Sequence, residues 1–169
     1  SLLHSFKMGT HTGTHLDAPA HIIPGHKTTG DFSLNSFVGK AIKINDDCLD
    51  KLKNLDYKIE GIIYDTGWYN KFEDSKVFFG KERPKIPFKI IEAAIDLDIN
   101  FFGCDLPSID SSSNIDKPIH NKLLSNEIII YECLANLDKL PFHEPFQFFG
   151  LPLPFKSLDG SPVRAIAIM

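Results

Sequence analysis

The chain has 169 residues, 43% of them hydrophobic and 24% charged, which is enough apolar material for the core of one ordinary domain, expected to span residues 1–169. A formal net charge of -4 and a pI near 5.9 leave no basic footprint for nucleic acid, and no lysine or arginine cluster suits an anionic membrane surface. Cys48, Cys104 and Cys133 are odd in number and lack CxxC spacing, which fits reduced thiols; no apolar run nears the roughly 18 residues of a membrane span, and Ser1 to His4 do not open a signal peptide. The expected compartment is therefore the cytoplasm.

Leu2 to Met8 reads as a short strand feeding the stretch from Gly9 to His21, Gly-Thr-His-Thr-Gly-Thr-His-Leu-Asp-Ala-Pro-Ala-His. Imidazoles and a carboxylate at this density form a metal-ligand set suited to zinc or manganese. Fully extended, His11 and His15 would stand about 13 Å apart, too far to share an ion. A helix would bring them together, but Gly13, Thr12, Thr14 and Pro19 oppose one. A tight curl pivoting on Gly13 remains. A lone histidine is more often a surface or hydrogen-bonded core residue; the cluster of His11, His15, Asp17 and His21 is harder to explain by packing.

Beyond His21 the pattern predicts a Pro-Gly loop to Asp31, a strand over Gly39–Ile44, and a short helix from Asp46 to Leu55. Gly61–Tyr64 is a buried strand that delivers Thr66, Gly67 and Trp68 to its end. Tyr69 to Lys85 has no clean period and reads as a loop. Pro87–Leu97 is a helix, Asn100–Gly103 a strand, Ile119–Asn126 a brief helix, and Ile128–Tyr131 a β-branched strand with Glu132 at its end. Two apolar runs, Phe146–Pro154 and Val163–Met169, are joined through Leu158 to Ser161, a hairpin signal. The order gives an α/β or α+β domain with a mixed sheet.

His11 to His21 resembles the HxGTHxDxPxH signature of the cyclase-like metal-dependent hydrolases, a family that includes bacterial kynurenine formamidases and isatin hydrolases. The likeness continues in Asp65 to Trp68, Gly103 to Asp110, His120 to Leu137 and Leu151 to Ile168, so it covers nearly the whole chain. It implies a swivelling β/β/α fold around a barrel-like sheet with short flanking helices, and a homodimer. Members carry a further N-terminal strand and a Pro-Gly loop before the motif, which the abrupt start here is expected to lack.

The resemblance also assigns the site. His11, His15 and Asp17 match the first metal ligands, and His120 and Glu132 the pair completing a two-metal centre bridged by Asp17, holding two zinc ions or manganese. His21 matches the catalytic histidine, and an imidazole can protonate a departing amine; its other reading is a ligand or a hydrogen-bonded scaffold residue. Thr14 would orient a ligand. Trp68, Phe32 and Phe37 are candidates for an apolar wall and equally for core packing. Asp105, Ser108 and Asp110 read as a polar network or loop brace.

Two close ions acidify a bound water and polarise a carbonyl, which serves hydrolysis. No Ser-His-Asp order, GxSxG elbow or phosphate loop competes. The expected function is hydrolysis of a small-molecule amide by metal-bound hydroxide, N-formyl-L-kynurenine to L-kynurenine and formate first, with an isatin-type cyclic amide or a non-catalytic metal- or ligand-binding domain as alternatives.

Overall fold

A computed structural model describes residues 1–46 and 49–169. Eight strands form one sheet: β1 (His15–Asp17), β2 (Val38–Ile44), β3 (Gly61–Tyr64), β4 (Phe101–Cys104), β5 (Ile129–Glu132), β6 (Pro145–Phe149), β7 (Gly160–Pro162) and β8 (Ile166–Ile168). Among the described residues four short α-helices accompany them: α1 (Leu49–Lys53), α2 (Ser75–Phe78), α3 (Phe88–Asp96) and α4 (Pro118–Ser125). The sheet order is β7-β1-β5-β4-β3-β2-β6-β8, with β2 to β5 parallel to their neighbours in the middle and antiparallel strands on both flanks.

Connectivity forces this sheet to curl. β7 and β8 are its two outer strands, yet only Val163 to Ala165 separate them in the chain. A flat sheet would hold them about 34 Å apart at about 4.8 Å per strand. The chain from Pro162 to Ile166 reaches only about 14 Å. The sheet therefore rolls into a half-barrel, the mixed α/β architecture expected from the sequence.

Alternation along the strands divides the interior in two. Ile42, Ile44, Ile62, Tyr64, Phe102, Cys104 and Ile130 face the helices, where Ile90, Ile91 and Ala94 of α3 and Ile119, Leu123 and Leu124 of α4 cover them. Their neighbours Ala41, Ile63, Phe101, Ile129 and Tyr131 point the other way and fill the inside of the curl with Leu16, Phe146 and Phe148. Leu16 lies on the inner face, so its neighbours His15 and Asp17 emerge on the helix-covered side, as Glu132 does beyond Tyr131. α4 covers that side and carries His120.

Several expectations change. Leu2 to Met8 is no strand; Leu2 and Phe6 are 92% and 84% exposed, because no neighbouring strand pairs with the segment. Tyr69 to Lys85 holds a 3-10 turn at its start and one turn of helix, α2, whose cap Asp74 accepts hydrogen bonds from Lys76 N and Val77 N. β6 and β8 pair, but Leu158 to Ser161 is not their hairpin: Gly160–Pro162 crosses to the opposite edge and pairs with β1. Of the helix expected over Asp46 to Leu55, Asp47 and Cys48 lie outside the described residues, as does the expectation for the Cys48 thiol; Cys104 and Cys133 are free.

Close approach fixes one glycine. A Cβ on Gly61 would lie 1.9 Å from the ring of Phe101, its partner across the β3–β4 register, and that ring is fully buried. Gly61→Ala should cost about 1–3 kcal/mol through overpacking. Urea denaturation checks this, and an unchanged midpoint would mean the ring has room to move.

Candidate metal centre

The centre is assembled from four places in the chain. Gly13, with φ of +66°, turns the chain back before β1, which is the curl expected from the sequence. The turn brings His11 Nδ1 within 2.6 Å of Asp17 Oδ1, six residues on. β1 then pairs with β5 so that His15 lies opposite Glu132. α4 adds His120 from the helix side, and the turn before β7 adds Asp159.

Buried Asp17 is the hub. His15 Nε2 is 3.3 Å from its Oδ1 and 3.5 Å from Glu132 Oε2. His120 Nε2 is 3.4 Å from Asp17 Oδ2 and 3.3 Å from Glu132 Oε1. Neutral imidazole carries one N–H, and both rings have spent theirs: His15 Nδ1 donates to the Gly13 carbonyl at 2.7 Å and His120 Nδ1 to Asp110 at 2.7 Å. Their Nε2 lone pairs thus face carboxylate oxygens. Such an arrangement needs a cation between the groups, either a proton or a metal.

The donor set fits a divalent metal. Ligands about 2.1 Å from a tetrahedral ion stand about 3.4 Å apart, close to the separations above. Asp17 Oδ2 is buried and accepts no hydrogen bond. Ligand atoms of His15, Asp17 and Glu132 lie within 4.8 Å of one another, as do those of His11, Asp17 and His21, so the two groups share Asp17.

Electrostatics follow the same pattern. Burial opposes charge on His15 and His120, but hydrogen bonds and charges from Asp17 and Glu132, with Asp110 for His120, outweigh it and push their pKa values up to about 10 and about 11. Burial would raise Asp17, yet His11, His120 and His15 hold it well below the usual carboxylate range. His21 moves the other way: burial, aided by the charges of His11 and Lys117, lowers it against the pull of Asp17 and Asp159.

Thr14 Oγ1 donates to the Cys133 carbonyl at 2.7 Å, tying together the strand ends that carry His15 and Glu132. Asp105 accepts from Thr66 and Tyr69 and braces the loop after β3. Asp110, expected only as a polar network or loop brace, accepts from both the backbone N–H of His120 at 3.0 Å and its ring and so fixes that residue twice. Asp159, read from sequence only as turn chemistry, accepts from Thr10, His11 and His21.

The aromatic expectations fare differently. Phe37 is a core residue inside the curl. Phe32 lines a polar hollow with Asn100, Asn126 and Glu127, residues preceding β4 and β5, at the end of the parallel strands away from Glu132. Trp68 is half-buried against the helix-side core, its Nε1 donating to the Phe78 carbonyl. Tyr69, Phe72 and Phe78 instead line a cavity of about 90 Å³ that reaches Gly13, Thr14 and Cys133 at the ends of β1 and β5.

Two outcomes are expected. With pKa values near 10 and 11, His15 and His120 are protonated at pH 7 in EDTA-stripped protein, so metal uptake should release about two protons and affinity should rise from pH 6 to 8. Calorimetry in buffers of different ionisation enthalpy reads this directly; no proton release would mean the two rings are not ligands. Asp110→Asn should weaken metal binding about 10–100-fold, in the same titration, by loosening His120.

Known proteins resemble the chain in sequence and in fold. Residues 3–111 match the family model described as putative cyclase. A kynurenine formamidase of Geobacillus thermodenitrificans is 33% identical over 167 residues, covering 94% of this chain and 76% of the relative. An uncharacterized protein of Methanocaldococcus jannaschii is 33% identical over 162 residues, 96% of this chain and 80% of its own. Isatin hydrolase A from Ralstonia solanacearum superposes with a TM-score of 0.83 at 23% identity, covering 98% of this chain and 74% of that one, and so shares the fold. A potential metal-dependent hydrolase with cyclase activity superposes with a TM-score of 0.78 at 27% identity, over 95% of this chain and 80% of the other. The family match over residues 3–111 and the relatives 33% identical over nearly the whole chain identify it as a member of the cyclase family of metal-dependent hydrolases.

Proposed function

We propose that the chain hydrolyses the C–N bond of a small amide at this centre, with N-formyl-L-kynurenine as the leading substrate. His11, His15 and Asp17 with His120 and Glu132 are the proposed ligands of two divalent ions, zinc or manganese, with Asp17 shared between them. The observation that carries the reading is the pair of Nε2 lone pairs on His15 and His120, each set 3.3–3.5 Å from the oxygens of Asp17 and Glu132.

When bound, such ions activate water and polarise a carbonyl. The protein's own groups do the rest. Asp110, the Gly13 carbonyl and the Ile109 N–H, which donates to Glu132 Oε1 at 2.7 Å, hold the donors in one orientation. His21 keeps Nδ1 on Asp159 at 3.1 Å, leaving Nε2 to carry a proton to the departing nitrogen. A lowered pKa suits that role, because neutral imidazole at working pH can first accept the proton it later gives.

The test adds zinc or manganese back to stripped protein and follows N-formylkynurenine and isatin as substrates. Metal-dependent turnover of N-formylkynurenine should fall about 10²–10⁴-fold in kcat in His21→Ala. Turnover of isatin alone would replace the substrate and keep the chemistry. Tight metal binding without turnover of either would favour a binding domain.

A further inference from the structure

One charged side chain at the centre has been given no contact with the substrate in that scheme, although its charge helps to lower the His21 pKa. Lys117 Nζ lies 3.5 Å from His21 Nε2. Among the described residues it forms no ion pair, although Asp17, Asp159 and Glu132 all belong to the same centre. Its ammonium sits instead beside the nitrogen that faces the proposed leaving group.

The backbone shows how it is held there. Lys117 has φ of 41° and ψ of 62°, the left-handed region, immediately before Pro118. A side chain disfavours those angles, and a following proline restricts its predecessor to extended conformations. Hydrogen bonds hold the strained turn: Lys117 N donates to the Asn114 carbonyl at 3.2 Å, and Asn121 Nδ2 donates to the carbonyls of Asp116 at 2.7 Å and Lys117 at 3.1 Å. Strain maintained in this way is characteristic of residues whose placement serves a site.

We propose that Lys117 is a substrate-binding residue whose ammonium takes a carboxylate carried close to the scissile amide, so that the enzyme selects acidic N-formyl arylamines over neutral ones. This rests on the amide-hydrolase reading. The geometry supports it because a group meeting both His21 Nε2 and Lys117 Nζ offers a nitrogen and an acceptor oxygen a few ångströms apart, and an ammonium holds an anionic oxygen more strongly than a neutral one. Among the described residues, the other charged side chains of the centre are carboxylates and imidazoles already assigned to holding ions or moving a proton. Lys117 is therefore the side-chain cation available to an anionic substituent.

The experiment compares wild type, Lys117→Gln and Lys117→Arg, all zinc-loaded and matched for metal content. Calorimetry measures anthranilate against aniline, and kinetics measure N-formylanthranilate against formanilide. Wild type should favour the acidic member of each pair by about tenfold or more, Lys117→Gln should lose that ratio, and Lys117→Arg should retain most of it. A preference that persists in Lys117→Gln would place the carboxylate on the metal and overturn the proposal. So would equal loss of both partners, which marks a structural role through α4, or a wild type without preference. If neither formamide is hydrolysed while anthranilate binding still depends on Lys117, the amide reading and the selection among formamides fail, and only the carboxylate contact of Lys117 stands.

Discussion

Everything at this centre depends on one buried carboxylate. Asp17 is 1% exposed, and a carboxylate removed from water is strongly disfavoured unless charge or hydrogen bonds replace the solvent. Here the replacement comes from His11, His15 and His120. Those rings are in turn oriented by Asp159, the Gly13 carbonyl and Asp110, acceptors drawn from distant parts of the chain. A cluster so connected tolerates protons or divalent ions between its members and tolerates little else. Its geometry is therefore set before any substrate arrives.

The curled sheet is what makes that cluster possible. β1 is three residues long and has little pairing strength of its own, but it is clamped between β5 and β7. Closure through Val163 to Ala165 holds β7 in position and carries Asp159, just ahead of it, to His11 and His21. The middle strands run parallel and end together, so Glu132 at the end of β5, Asp105 just beyond β4 and Asp65 just beyond β3 all lie at the same end of the sheet. Strand ends of that kind are where parallel sheets gather functional side chains.

Local signals were readable because their causes are local. The curl at Gly13, the helix starting near Pro87, the β-branched run at Ile128 to Tyr131 and the thirteen-residue histidine stretch all lie within one sequence window. Residues whose meaning depends on distance along the chain were not readable. Asp159 meets His11 across 148 positions, and nothing in Leu158-Asp159-Gly160 distinguishes a site aspartate from a turn aspartate. The hairpin reading of that segment failed for a related reason: pairing of β7 with β1 is long-range, and its turn residues suit either topology. The aromatic wall was left open between two readings because Phe32, Phe37 and Trp68 have the same hydrophobic signature whether they face a cavity or a core.

The two histidines sharing Asp159 show how placement divides labour. His11 stands between two carboxylates, 2.6 Å from Asp17 and 2.9 Å from Asp159, and although burial opposes it their pull raises its pKa. His21 has one carboxylate at 3.1 Å, with His11 and Lys117 as cationic neighbours, so burial prevails and its pKa falls. Divalent ions on Asp17 would add positive charge near both rings and push His21 further in the direction it already leans. The same Asp159 carboxylate thus holds two rings in different states. One is drawn towards its charged form between two carboxylates, and the other is drawn towards its neutral form, with Nε2 beside the Lys117 ammonium.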